Sequence, residues 1–393
     1  MKVLHVIPSL AAVHGGPSRA MSLMKQVLLD AGVQVHIATT DDDGPGRRMA
    51  PSFAQVTALP SQHIFRKRTE FYKIAPEMGA WLGQHVGKYD LVHIHALFSY
   101  SSIAAARAAR KAGVPYIVRP LGTLTRYGIE QRRPWLKRIS LRWLEGPLLR
   151  HAAAVHFTAE AERDEAAVLG IPMRGIVLPL AVDATAEPDF EALFHRFPAL
   201  RGANYLLFLS RLDPKKNVEA LLDAMLVLMP NHPELLLVVA GDGDPSYVAQ
   251  LKQRANSLGI SSRLVWTGFL DGGLKAAALK GASVFVLPSF SENFGIAAAE
   301  ALAAGLPCVL GQGVALAAQV EAAGAGSAVA PTSAAIAAAV SAYLIDADKR
   351  GQASRAASLF AKQELSLAAM GHGLVALYSD VIERHKKATL VSD

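Results

Sequence analysis

Glu292 and Glu300 straddle the start of a predicted helix. Ser289 to Asn293 is a short polar loop, and from Phe294 an Ala/Leu-rich run continues to Gly305 with Pro307 just beyond, the stop signals of a helix. At ~1.5 Å rise per residue the two carboxylates stand roughly 9–12 Å apart. A helix start at the carboxyl end of a strand offers free N–H groups and a positive dipole end to an anion. Carboxylates beside such a site repel phosphate and suit hydroxyls on either side of it. A sugar nucleotide has that layout, with a hexose on one side of a diphosphate and a ribose on the other. An ordinary surface helix with two solvated glutamates would show the same spacing.

Two cations could complete such a site. Arg211 and Lys216 stand at the two ends of one loop, Ser210 to Asn217, which follows an apolar run and precedes a helical pattern. A guanidinium binds two oxygens in a fixed fork while an ammonium supplies a mobile point charge, so both could converge on a diphosphate. A solvated basic loop is the plainer alternative. Gly15 and Gly16, before Pro17, and Gly241, within Gly241-Asp242-Gly243-Asp244, permit close backbone approach to a ligand or simply make tight turns.

In the first half, His93 and His95 alternate onto one face of a strand, and Arg119 ends another, followed by Pro120-Leu121-Gly122. The two histidines suit a polar cleft edge; with no third ligand evident, no metal site is assigned. Arg119 could reach a phosphate or an acidic sugar, or brace its loop by an ion pair.

The elements that must hold these residues alternate strand and helix through both halves. Strands are expected at Lys2–Ile7, Val33–Thr39, Tyr89–His95, Val114–Pro120, Ala152–Phe157 and Ile176–Leu180, then again at Tyr205–Leu209, Leu235–Ala240, Arg263–Phe269 and Ala282–Leu287. The βαβ order implies doubly wound α/β sheets. Residues 1–182 read as one Rossmann-like domain, 183–203 as a linker, 204–369 as a second domain, and 370–393 as a C-terminal helix packing back on the first. The Ala-rich stretch to Leu344 is helical by propensity. GxGxxG is missing after the first strand, which removes the best support for a nicotinamide or flavin enzyme.

The segment Arg132 to Arg150 is the most basic, with Arg132, Arg133, Lys137, Arg138, Arg142 and Arg150 against one acid, Glu145. Leu136, Ile139, Trp143 and Leu144 recur near helical spacing, giving an amphipathic helix. It either docks on the core with a solvated basic face or lies on an anionic membrane surface.

With 393 residues, 51% of them hydrophobic and 19% charged, the chain suits two globular domains rather than a disordered segment or an array of membrane spans. A net charge of +7 favours anionic partners without choosing among them. The single cysteine, Cys308, has no disulfide or metal companion and reads as a core residue in a reducing compartment. The opening MKVLHVIPSLAAV is short, interrupted by His5 and Pro8, and leads into a Gly-rich loop, so it reads as a strand rather than a signal peptide. No uninterrupted run approaches ~20 apolar residues. A cytoplasmic protein, peripheral on the inner face of the membrane, is expected.

The whole pattern of Gly15-Gly16-Pro17, Arg211 to Lys216, Gly241-Asp242-Gly243, and Glu292-Asn293-Phe294-Gly295 through Glu300 resembles the retaining, metal-independent GT-B glycosyltransferases with a Glu-x7-Glu motif. The resemblance implies two Rossmann-like domains facing across a cleft, the first binding acceptor and the second a UDP-, GDP- or ADP-linked sugar. It implies that Arg211 and Lys216 stabilise the leaving diphosphate and that Glu292 with the Asn293, Phe294 and Gly295 backbone holds the transferred hexose. Glu300 would take the ribose, Gly15 and Gly16 would approach the diphosphate, and Gly241 would line the donor site. Many relatives carry a histidine where Arg119 stands, so His95 and Arg119 are the acceptor-side candidates. The implied reaction moves a hexose to a lipid-linked or polysaccharide acceptor, with no cofactor, no metal and no nucleic acid. Two alternatives compete: a sugar-nucleotide epimerase, which would need further acid/base groups, and a non-catalytic two-domain sugar-binding protein, which would have no need of Arg211 with Lys216.

Overall fold

The computed structural model describes residues 1–11, 13, 15–49, 61–130 and 134–392; His14, Arg132 and Arg133 lie outside them. The chain divides into two compact units, Met1–Ala181 with Leu367–Asp393, and Val182–Ser366.

Among the described residues of the first unit, seven parallel strands form one sheet: β1 (Lys2–Val6), β2 (Gln34–Thr40), β3 (Gln62–Phe65), β4 (Leu91–His95), β5 (Tyr116–Arg119), β6 (Ala154–Phe157) and β7 (Gly175–Val177). Their order is β3-β2-β1-β4-β5-β6-β7, so the winding reverses between β1 and β4, where His5 lies beside His93. Runs such as Val-Leu-His-Val are buried on both faces because helices cover the sheet on both sides, which is why they read as continuous rather than alternating apolar segments. The helix Gly16–Asp30 buries Ala20, Met21, Met24, Val27 and Leu28. The larger of these side chains contribute about 1.5–3 kcal/mol each relative to exposure.

The last helix, Leu367–Ser392, belongs to this same unit and buries Met370, Leu374, Tyr378 and Val381. The stretch Ala347–Leu390, which takes in this helix and the one before it, is long and apolar enough to cross a membrane by length and composition, a property that core helices of soluble proteins share.

The second unit has six parallel strands among its described residues: β8 (Tyr205–Leu209), β9 (Leu236–Ala240), β10 (Leu264–Gly268), β11 (Val284–Leu287), β12 (Cys308–Gly311) and β13 (Gly326–Val329). The order β10-β9-β8-β11-β12-β13 repeats the same winding, with its reversal between β8 and β11. Residues 183–203, expected as a linker, lie in this unit and carry the helix Phe190–Arg196 with Leu193 buried.

One expectation here needs correction. The Ala-rich stretch to Leu344 is not one helical region: β13 interrupts it between the helices Ala317–Ala322 and Ser333–Ile345. Ala propensity is a weak prior, and pairing of Cys308 with Gly326 through Gly311 with Val329 overrides it. In the segment Leu136 to Leu144, Ile139, Trp143 and Leu144 face solvent, Leu136 is half-buried and Leu141 is buried. A π turn at Leu141–Glu145 shifts the helical phase, so Ser140, Leu141 and Glu145 are buried while Trp135 is 63%, Ile139 53% and Trp143 69% exposed.

Candidate active site

In the second unit the loops after β8 and β11 meet at the reversal of winding, the place where open α/β sheets receive ligands. Asn217 joins them. Its backbone is left-handed (φ 57°), which ends the Pro214–Lys216 turn and starts the helix Val218–Leu228. Its side-chain amide donates to the Pro288 carbonyl at 3.2 Å and to the Pro331 carbonyl at 2.8 Å. The Phe290 N–H donates to the Lys215 carbonyl at 2.9 Å, a second tie between the same two loops.

This arrangement brings Lys216 onto Glu292, whose carboxylate it contacts, with both side chains largely buried. Burial, then the charges of Lys215 and Arg211, pull the Lys216 ammonium down to about 7, against the opposing charge of Asp213. Lys215 is lowered by burial and by Arg211. Arg211 is exposed at the mouth of the loop. Three cations thus crowd one loop, and the binding of an anion there would relieve their mutual repulsion.

Glu292 sits outside the helix. Its N–H donates to the Gly313 carbonyl at 2.8 Å, which fixes the β11 loop against the β12 loop. Gly295 caps the helix Ile296–Ala303 with φ 88°, a conformation that favours glycine, and a Cβ there would press on Val314 Cγ1 at 3.0 Å. Glu300 is buried on that helix and accepts from Lys275 Nζ at 2.8 Å. Phe294 is buried, and the Asn293 Oδ1 and Ser289 Oγ atoms are buried without hydrogen-bond partners. Buried polar atoms of this kind call for a partner, which an ordered water or a polar ligand in the loop would supply.

Gly241 has φ 134°, and a Cβ there would lie 1.9 Å from the Ser210 carbonyl oxygen. Its role in the fold is therefore to let the β9 loop close on the β8 loop, where the Leu212 N–H also donates to the Asp242 carbonyl at 2.8 Å. Lys275, Ser289 and Asn217 escaped the sequence reading. The Lys-Asn pair directly after Pro214-Lys215 was the available signal for Asn217.

In the first unit, Gly15 has φ 64° and caps the helix Gly16–Asp30, with Pro17 in its first turn. The rest of that loop's sequence reading falls partly on His14, outside the described residues. His95 and Arg119 share a face of the sheet, as alternation and register require, but both are buried. His5 Nδ1 and His95 Nε2 share a hydrogen bond of 2.9 Å, His93 Nδ1 lies 2.7 Å from the Tyr378 hydroxyl, and His156 Nδ1 lies 3.5 Å from His93 Nε2. Ring nitrogens of His5, His93 and His95 lie within 4.8 Å of one another. Burial first, and then neighbouring positive charge including Arg119, hold all four imidazoles neutral, with His5 and His156 lowered to about 3. These histidines form a neutral, hydrogen-bonded layer in the core, and His5 is the third imidazole that the sequence reading of His93 and His95 did not find. Burial lowers Arg119 itself to about 10, and its guanidinium rests on Met24 Sδ at 3.7 Å.

Residues 15–181 match the Glycosyl transferase 4-like domain, and residues 189–360 match Glycosyl transferases group 1. The chain is 25% identical over 302 residues to the alpha-monoglucosyldiacylglycerol synthase of Streptococcus pneumoniae, covering 75% of this chain and 67% of that one. It is 27% identical over 329 residues to the phosphatidyl-myo-inositol mannosyltransferase of Mycolicibacterium smegmatis, covering 79% and 75%. The crystal structure of Anabaena HepE in complex with UDP and glucose superposes with a TM-score of 0.75 at 19% identity, covering 97% of this chain and 100% of that one.

Proposed function

Both halves of this chain match glycosyltransferase domains and fold as the two Rossmann-like sheets of GT-B, and on that premise we propose that it transfers a hexose from a nucleotide-diphosphate sugar to a lipid-linked or polysaccharide acceptor with retention of configuration. The observation that carries the donor assignment is the joining of Lys216 and Glu292 by the Asn217 clamp.

In this reading the donor diphosphate lies over the β8 loop, where Arg211 and Lys216 take the charge that develops as the glycosidic bond breaks. Preorganised cations of this kind stabilise a leaving group without reorganising at the moment of reaction, an effect worth on the order of 3 kcal/mol per group. Arrival of the diphosphate draws Lys216 away from Glu292, leaving that carboxylate to accept from hydroxyls of the hexose. Glu300, oriented by Lys275, accepts from the ribose. Asn293 Oδ1 and Ser289 Oγ supply further partners for the sugar. No metal is needed for these steps.

The relatives' names point to lipid acceptors, and the exposed Trp135, Ile139 and Trp143 beside Arg138 and Arg142 suit contact with an anionic bilayer surface. The protein is then cytoplasmic and peripheral on the inner face of the membrane.

The test is a screen of UDP-, GDP- and ADP-sugars for thermal stabilisation, followed by NMR of the anomeric proton in the product of the stabilising donor. Donor turnover that persists in EDTA and yields the donor's own anomer is the expected result. An inverted anomer would refute retention, and activity lost in EDTA and restored by Mg²⁺ or Mn²⁺ would refute metal independence. Failure of every donor to bind or turn over would remove the assignment altogether.

A further inference from the structure

Glu145 is buried at the end of the π turn on the underside of helical residues 134–150. Its Oε1 accepts from the Phe98 N–H at 2.9 Å and lies 3.4 Å from the Tyr72 hydroxyl and 3.5 Å from the Ser140 hydroxyl. Its Oε2 is buried with no hydrogen-bond partner. One carboxyl therefore reaches a helix, the loop after β4 and the segment that follows β3.

Those last two segments hold left-handed backbone at residues other than glycine. Tyr72 and Lys73 have φ of 56° and 48°, and Ala96 and Phe98 have φ of 72° and 54°. Such conformations cost on the order of 1–3 kcal/mol each and persist only where their surroundings over-determine them; they concentrate at ligand clamps and active sites. Here the Tyr100 N–H donates to the Tyr72 carbonyl at 2.7 Å, which ties the segments to each other. On the far side Lys73 is held by buried Asp42, which also pairs with Lys67 at 2.6 Å. The Ala96–Phe98 turn lies at the carboxyl end of β4, beside the reversal of winding in this sheet.

We propose that Glu145 is a positioning residue for the acceptor: it locks the Tyr72 and Phe98 segments in their left-handed form and couples that form to the tryptophan-bearing helix on which it stands. This inference rests on the glycosyltransfer reading above. Burial pushes the Glu145 carboxyl up to about 7. Tyr72 is the titratable group against it; Lys137 places its ammonium on the Gly128 carbonyl and 6.0 Å from the Phe98 ring, and Lys73 is occupied by Asp42. Once the loop opens, Glu145 returns to the ordinary carboxylate range. The locked form thus holds a proton that the open form loses between about pH 4.5 and 7, so rising pH through that window favours opening and has no further effect above it.

The experiment follows amide hydrogen exchange at Phe98 in the full chain from pH 5 to 8, corrected for the intrinsic rate. Wild-type protection is expected to fall by roughly tens-fold between pH 5 and 7 and then to level off. Glu145→Gln keeps the acceptor for the Phe98 N–H and cannot ionise, so its protection should be flat. Glu145→Ala should lose protection at every pH and raise the acceptor KM at least tenfold with the donor KM unchanged. A flat wild-type profile, or a Glu145→Gln profile that follows wild type, overturns the proposal, and so does a folded Glu145→Ala with unchanged acceptor KM. Should Glu145→Ala not fold, the Gln profile decides alone. If the exchange results hold while no nucleotide sugar is bound or turned over, the lock stands and the glycosyltransfer reading is the part that fails.

Discussion

Lys275 donates to the Glu300 carboxylate at 2.8 Å from the neighbouring helix Gly272–Gly281, so the carboxylate assigned to the ribose is already oriented before any ligand arrives. Glu300→Gln should weaken free nucleoside diphosphate binding about tenfold, the worth of a hydrogen bond to a charged acceptor. Lys275→Met should cost less, because it removes the orienting group and leaves the acceptor. Calorimetry with UDP, GDP and ADP checks both, and unchanged affinity of Glu300→Gln for all three would refute the ribose role.

Lys216→Ala should lower kcat at least a hundredfold with little change in donor KM, as for a group whose interaction strengthens while the leaving group gains charge. An unchanged kcat excludes Lys216 from the chemistry.

The pH profile gives an independent check on the same residue. In the free enzyme Lys216 is an ammonium below about 7 and neutral above it. Since kcat/KM reports the free enzyme, it should decline above about pH 7, whereas a bound diphosphate raises the Lys216 pKa and keeps kcat level to higher pH. Profiles for kcat and kcat/KM that bend together would contradict this.

The histidine layer should make the first unit labile to acid. Buried His5 and His156 titrate near 3 against 6.5 when unfolded, so the unfolded chain binds more protons between those values and stability is lost as pH falls through that window. Each such residue contributes up to ~1.4 kcal/mol of lost stability per pH unit below 6.5. Hydrogen exchange at pH 5 should show the first unit opening before the second, and His5→Gln with His156→Gln should flatten the dependence. Simultaneous loss of both units with the same slope in the variant would count against it.

The exposed aromatic ridge predicts sedimentation with anionic but not neutral vesicles at low salt. Arg138→Glu with Arg142→Glu should abolish it, and Trp143→Ala should reduce it several-fold while leaving circular dichroism unchanged. Equal binding to both vesicle types, or no effect of charge reversal, would show that this face does not dock on anionic lipid.

The sheet organisation was legible because runs such as Tyr205–Leu209 and Val284–Leu287 are apolar throughout, as strands covered on both faces must be. Three strands escaped: Gln62–Phe65 is half polar, Cys308–Gly311 is only four residues long and directly follows Pro307, and Gly326–Val329 lies inside an Ala-rich stretch. Spacing alone brought Glu292 and Glu300 to attention, and loop position did so for Arg211 and Lys216. What spacing could not supply was contact across the sheet. Lys275 on Glu300 and Asn217 on Pro288 join residues 25 and 71 positions apart, and His93 and His95, which suited a polar cleft edge, are both buried. Nor does a 3.6-residue period anticipate the π turn at Leu141–Glu145 within the basic segment.

The hydrogen bond from His93 to Tyr378 spans 285 residues, and the whole second unit is threaded between its two ends. On the ribosome the second unit therefore emerges complete while the first still lacks the helix that roofs its histidines. Its core is finished only by chain made after the second unit, and truncation just before Leu367 would leave the second unit whole while depriving the domain begun first of its last helix.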